Sequence, residues 1–151
     1  MRNKKTDLFN YAKEMDKFLS KIDWDLFCTF TTGYPLSLKS ARRLMIRFYN
    51  RIQKSVFNNS KNVLLYWVAE QNECKDSYHL HGLIKHPNIE GYNVIDGLNN
   101  SYQIVSGAKK KKTNYRIDLD KYDKTLFGAK YLTKTQRLDG HDFDIFIGND
   151  I

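Results

Sequence analysis

The chain has 151 residues, with 25 lysines and arginines against 17 aspartates and glutamates and a formal charge of +8. That length suits one domain around one hydrophobic core, spanning residues 1–151. The charge points to a polyanionic partner: DNA, RNA or an acidic membrane surface. Cys28 and Cys74 lack CxxC spacing, which argues against a disulfide scaffold or a cysteine zinc site and fits a reducing compartment.

No apolar run approaches a membrane span, and the N-terminal MRNKKTDLF has no signal-peptide core behind its charges. The expectation is a soluble cytoplasmic protein with no membrane partner. Along the chain, residues 7–20 place Leu8, Tyr11, Ala12, Met15, Phe18 and Leu19 on one helical face, with Asp7 as the cap. Trp24 to Thr32 is rich in β-formers, ends at Gly33 and predicts a strand. Ser37 caps a second helix whose apolar positions run from Leu38 to Val56, with Arg42, Arg43, Arg47, Arg51 and Lys54 on its other side. Asn62–Glu70 and Tyr78–Ile84 predict two strands of an antiparallel hairpin, the first too apolar for an edge. Residues 91–99 read as a short helix, although Gly91 and Gly97 count against it. Ser106–Asn114 is a lysine-rich loop and Tyr115–Asp120 a strand. Asp123 caps a helix from Lys124 to about Thr135, and residues 143–147 make a last short strand. The order predicts an α+β domain built on one antiparallel sheet.

His79 and His81 lie two apart on a strand, so both point to one face while Leu80 points to the other. Two imidazoles there can share a divalent ion. Glu70, at the end of the partner strand, comes opposite them if the turn is short. Two nitrogens and a carboxylate leave coordination positions open for a scissile phosphate. Taken alone, an H-x-H pattern more often lines a solvated sheet face. His86 and His141 read as surface residues.

In the helix after Asp123, Phe127, Lys130, Tyr131 and Lys134 recur at spacings of three and four along one face. A phenol beside ammonium groups is favoured in its ionised form, and the same charge neutralises a phosphate under attack. Tyr131 would then be a nucleophile and Lys134 would hold the phosphate. An ordinary amphipathic helix with Tyr131 in the core is the alternative. The block Lys109, Lys110, Lys111 and Lys112, together with Lys130, Arg42 and Arg43, supplies candidate DNA contacts. Tyr34, Tyr102 and Tyr115 could stack on unpaired bases, but most tyrosines in a small domain are packing residues, and none of the three is assigned that role.

Three motifs in order resemble those of the HUH endonucleases, the rolling-circle replication initiators of phages, viruses and plasmids. Phe27-Cys28-Thr29-Phe30-Thr31 is similar to their first motif, His79-Leu80-His81 to the histidine–hydrophobe–histidine that names them, and Lys130-Tyr131-Leu132-Thr133-Lys134 to their tyrosine motif. The resemblance implies a ferredoxin-like or RRM-like domain with a central antiparallel sheet flanked by helices. It implies Mg²⁺ or Mn²⁺ as cofactor, Glu70 as third ligand, and single-stranded DNA at a replication origin as substrate. It further implies a 5′-phosphotyrosine intermediate, with host helicase and polymerase as partners. Some relatives carry a second tyrosine or an acid one turn before the nucleophile, where this chain has Phe127. Either the enzyme uses a single tyrosine or phenylalanine replaces a natural tyrosine there. No P-loop pattern is present, so no helicase module is expected. A transposase, a relaxase or a non-catalytic nucleic-acid-binding module on an RRM-like fold stands as the alternative, and either a monomer or a dimer fits the sequence.

Overall fold

A computed structural model describes residues 4–59, 62–71, 77–91, 93–107, 116–124 and 142–148. Its elements are α1 (Lys4–Ser20), β1 (Leu26–Thr31), α2 (Leu38–Ser55), β2 (Leu64–Gln71), β3 (Tyr78–Lys85), α3 (Val94–Ser106), β4 (Arg116–Lys121) and β5 (Asp142–Ile147). All five strands join one antiparallel sheet in the order β4-β1-β3-β2-β5. The protein is thus of the α+β class, with three helices among the described residues packed on that sheet.

Most elements follow the sequence pattern, and the differences have local causes. Asp7 is not a cap, because α1 begins three residues earlier and runs through it. Ser37 does cap α2: its hydroxyl accepts the backbone N–H of Ser40 at 3.1 Å, and its extended backbone turns the chain into the helix. α3 is longer than the glycines suggested. Gly91 lies before it, and Gly97 sits where a Cβ would come 3.1 Å from a methyl of Val56, so the glycine admits close packing at the end of α2. Gly107, at φ 80°, ends α3 in the left-handed conformation that favours glycine. Beyond Lys124, the helix predicted after Asp123, including Phe127, lies outside the described residues.

Strand alternation divides the sheet into two faces. Leu26, Cys28 and Phe30 of β1, Leu65, Trp67 and Ala69 of β2, and Leu80 and Ile84 of β3 pack with α2 and α3 in the larger core. Gly82 of β3 belongs to this layer; a Cβ there would meet Tyr66 O at 2.9 Å and the Phe30 ring at 3.2 Å. The space is used by Phe30, whose ring also meets those of Phe48 and Tyr102, each at 5.3 Å between centroids. The opposite face holds a smaller cluster in which Leu19, with Met15 beside it, covers Tyr66, Val68 and Leu83, and Trp24 donates its indole N–H to Leu19 O at 2.9 Å. Tyr11 and Phe18 of α1, expected on its buried face, are exposed. A second ring contact still joins Tyr11 to Phe143 of β5 at 5.6 Å.

α2 and β5 are fastened by Arg42. Its guanidinium donates two hydrogen bonds to Asp142 and one to Asp144, each at 2.8 Å, and lies 5.2 Å from the centre of the Trp67 ring. The two carboxylates raise its pKa further above the ordinary arginine range. Arg42, a candidate DNA contact by sequence, is therefore engaged within the fold.

Candidate metal centre

Among the described residues, the smaller cluster covers only part of its face, and the end of the sheet bearing Glu70, His79 and His81 lies beyond it. β2 and β3 pair with Glu70 directly opposite His79 and Val68 opposite His81. Period-two alternation then puts Glu70, His79 and His81 on one side, with Leu80 fully buried on the other. Glu70 Oε2 lies 3.3 Å from His79 Nε2 and 3.6 Å from His81 Nε2. One donor atom from each residue falls within 4.8 Å of the other two.

These separations suit a shared ion. Bonds of about 2.1 Å at right angles hold neighbouring donors about 3 Å apart. Glu70 Oε2 is shielded from solvent and accepts no hydrogen bond from a described residue, which is costly for a carboxylate oxygen unless a cation approaches it. Two imidazoles and one carboxylate also leave coordination positions for a further ligand. The residues present therefore fit a divalent metal.

β1 supplies the layer behind the triad. Thr29 is paired with His81 on one side and with Asp118 of β4 on the other. Its Oγ1 stands 3.3 Å from His81 Nδ1, so the imidazole is held at one nitrogen by β1 and presents the other towards Glu70. The Phe27 ring, 6.0 Å from that of His81, flanks the same imidazole. Sequence reading placed Thr29 in a motif without giving it a role. The available signal was the alternation of Phe27, Thr29 and Thr31 against the apolar Leu26, Cys28 and Phe30.

A cleft of about 670 Å³ opens beside His79, with Thr29, Thr32, Tyr34, Tyr78 and Arg116 among its walls. The loop after β1 forms one wall and is fixed at several points. Tyr102 donates its hydroxyl to Thr31 O at 2.9 Å, Thr32 donates to Tyr34 O at 2.7 Å, and Tyr78 N–H donates to Leu36 O at 3.1 Å. Tyr34 reaches back to Ser106 O at 3.3 Å. This wall of the cleft is thus fixed by hydrogen bonds of the fold itself. Tyr102 is a core residue and not a stacking platform; burial pushes its pKa far above the ordinary phenol range, leaving it a donor. Burial pushes the Cys28 thiol up in the same way, so it cannot serve as a thiolate nucleophile.

Of the other sequence candidates, Arg43 is exposed on α2, which packs on the face of the sheet opposite the histidines. Lys109, Lys110, Lys111, Lys112, Tyr115, Lys130, Tyr131, Lys134 and His141 lie outside the described residues. His86 is not a surface residue: it is 4% exposed, stacks on Phe57 with ring centres 4.2 Å apart, and accepts the Asn88 N–H on Nδ1 at 3.0 Å. No helix among the described residues is long and apolar enough to cross a membrane. Comparison with protein-family profiles, curated proteins and solved structures returns no match.

Proposed function

We propose that this protein is an HUH-type endonuclease that nicks and rejoins single-stranded DNA to initiate rolling-circle replication. The observation that supports it most is the convergence of Glu70, His79 and His81 at ion-sharing distances, at the open end of an antiparallel sheet. The order of the three sequence motifs adds the tyrosine. A second support is topological: β5 begins at Asp142 beside Ala69, so the segment carrying Tyr131 and Lys134 rejoins the sheet one position from Glu70.

Glu70, His79 and His81 would hold Mn²⁺ or Mg²⁺, and the two imidazoles favour Mn²⁺, since Mg²⁺ prefers oxygen donors. A bound ion would supply Lewis-acid polarisation of the scissile phosphate. Thr29 keeps the His81 ring in register. Tyr131 attacks phosphorus with its phenolate oxygen, a new P–O bond forms, and the bond to the 3′-oxygen breaks. The departing 3′-oxygen takes up a proton. Lys134 neutralises the phosphate during transfer. Rejoining runs the same exchange backwards, with the 3′-hydroxyl displacing tyrosine, so the phosphodiester energy is conserved without ATP.

The test is a gel assay with labelled single-stranded oligonucleotides in Mn²⁺ or EDTA, using the parent and Tyr131→Phe. The expected result is a protein–DNA adduct that requires metal and is absent from the variant. An adduct that persists in Tyr131→Phe reassigns the nucleophile. No adduct on an oligonucleotide the protein binds, even after Phe127→Tyr, overturns the enzyme reading in favour of a binding module.

A further inference from the structure

The chain contains no acidic residue between Asp25 and Glu70, and α2, at the middle of that stretch, carries Lys39, Arg42, Arg43, Arg47, Arg51 and Lys54. Arg42 is committed to Asp142 and Asp144, and Arg47 lends one nitrogen to Val105 O at 2.6 Å. Lys39, Arg43, Arg47 and Lys54 are exposed. Their spacings of four, four and seven keep them on one stripe of the helix, which runs roughly 22 Å at 1.5 Å per residue. Lys39, Arg43 and Lys54 form no ion pair with a described residue.

The stripe faces away from the sheet, because Ala41, Leu44, Met45, Phe48 and Ile52 on the other side of α2 are buried in the larger core. The triad opens on the far face of the same sheet. A strand seated on the histidines is therefore separated from the stripe by a helix diameter of roughly 10 Å and the sheet itself. Whatever the stripe binds is not the segment being cut.

We propose that the outer face of α2 is a second nucleic-acid surface, which takes the phosphate backbone of duplex DNA. The inference rests on the nucleic-acid reading above but on neither the metal nor the tyrosine. A duplex is favoured over a single strand because single-strand sites stack bases on aromatic rings, whereas Phe48 and Tyr49 of α2 are buried. It is favoured over an acidic membrane because the apolar side of α2 is consumed by the core. Only Ile46 remains as a large exposed apolar side chain on the helix, too little to insert. A straight row of cations on a rigid helix also matches the fixed, dense charge of a duplex. Function would then divide across the sheet, with one face gripping double-stranded DNA and the other acting on the unpaired strand.

The experiment is fluorescence anisotropy of a labelled duplex in EDTA over a series of salt concentrations. It compares the parent with the combined variant Lys39→Gln, Arg43→Gln, Arg47→Gln and Lys54→Gln. The expected result is at least about tenfold weaker binding at low salt, and a log–log salt dependence less steep by about 3 to 4. Should loss of the Arg47 contact disturb folding, the triple variant that keeps Arg47 is expected to lower the slope by about 2 to 3. Equal affinity and slope in parent and variant overturn the proposal, as does a parent that binds no duplex. Stripe-dependent binding to phosphatidylserine vesicles without duplex binding overturns it in favour of a membrane. Stripe-dependent duplex binding by a protein that forms no adduct leaves this surface standing and removes the nickase reading.

Discussion

The two faces of β3 are made from one stretch of chain and obey opposite rules. On one side Leu80 and Ile84 are sealed beneath the helices, and the gap above Gly82 is filled by Phe30. On the other, His79 and His81 turn towards a shielded carboxylate oxygen that accepts no hydrogen bond from a described residue, and His79 borders an open cleft. The first face gains stability by leaving no vacancy. The second spends some of it by gathering polar groups that only a ligand would complete. The pleat lets one strand do both, because adjacent residues never share a side.

The sharpest way to break this contrast is to truncate one residue from each face. Leu80→Ala leaves a cavity in a fully buried layer and is expected to cost about 3–5 kcal/mol, read as a lower urea midpoint. His81→Ala is expected to change metal-free stability by no more than about 1 kcal/mol. It should abolish Mn²⁺ binding, measured by titration calorimetry, at concentrations that saturate the parent. If His81→Ala unfolds the protein instead, the histidine is a core residue and the division between faces fails.

Thr29→Val sharpens the same contrast within the site. When His81 Nε2 is turned to an ion, Nδ1 carries the proton and donates it to Thr29 Oγ1, a partner valine cannot supply. Removing such supporting contacts costs about 10- to 100-fold in metal affinity, and Thr29→Ser is expected to restore most of the loss. Unchanged Mn²⁺ affinity in a folded Thr29→Val protein would reduce the contact to coincidence.

The smallest effect concerns His86, a histidine used as packing rather than chemistry. Burial lowers its pKa from the ordinary 6.5, with Asp25 pulling weakly the other way. The folded state therefore resists protonation that the unfolded chain accepts, so stability is lost as pH falls below about 6.5 towards the folded value. Relative to the parent, His86→Asn is expected to flatten the fall in urea stability as pH drops below about 6.5. An unchanged acid limb would assign that loss to other groups.

What could be read in advance depended on whether the signal was local. The H-x-H alternation and a short turn were enough to bring Glu70 opposite His79, since strand register follows from period two once a hairpin is recognised. The cap at Ser37 is likewise written in its neighbours. Arg42 looked like one more free cation because its carboxylates, Asp142 and Asp144, lie about a hundred residues away in sequence. His86 looked exposed because only the tertiary fold brings Phe57 against it. The length of α3 was missed by weighing Gly97 as a breaker, when tight packing on Val56 accounts for it, and by overlooking Gly107 as a stop.

The clasp between Arg42 and β5 also has a consequence for how the molecule is made. β2 meets β3 across only six intervening residues, but its other edge is completed by residues 142–147. Until those residues leave the ribosome, the nascent chain carries a naked and strongly apolar strand edge, the kind that recruits neighbouring chains. By then Arg42 has long been synthesised, and it offers the late-arriving aspartates an electrostatic landing point beside that edge. Slowing translation ahead of β5, or replacing Arg42, should therefore lower the soluble yield more than the equilibrium stability of the finished protein.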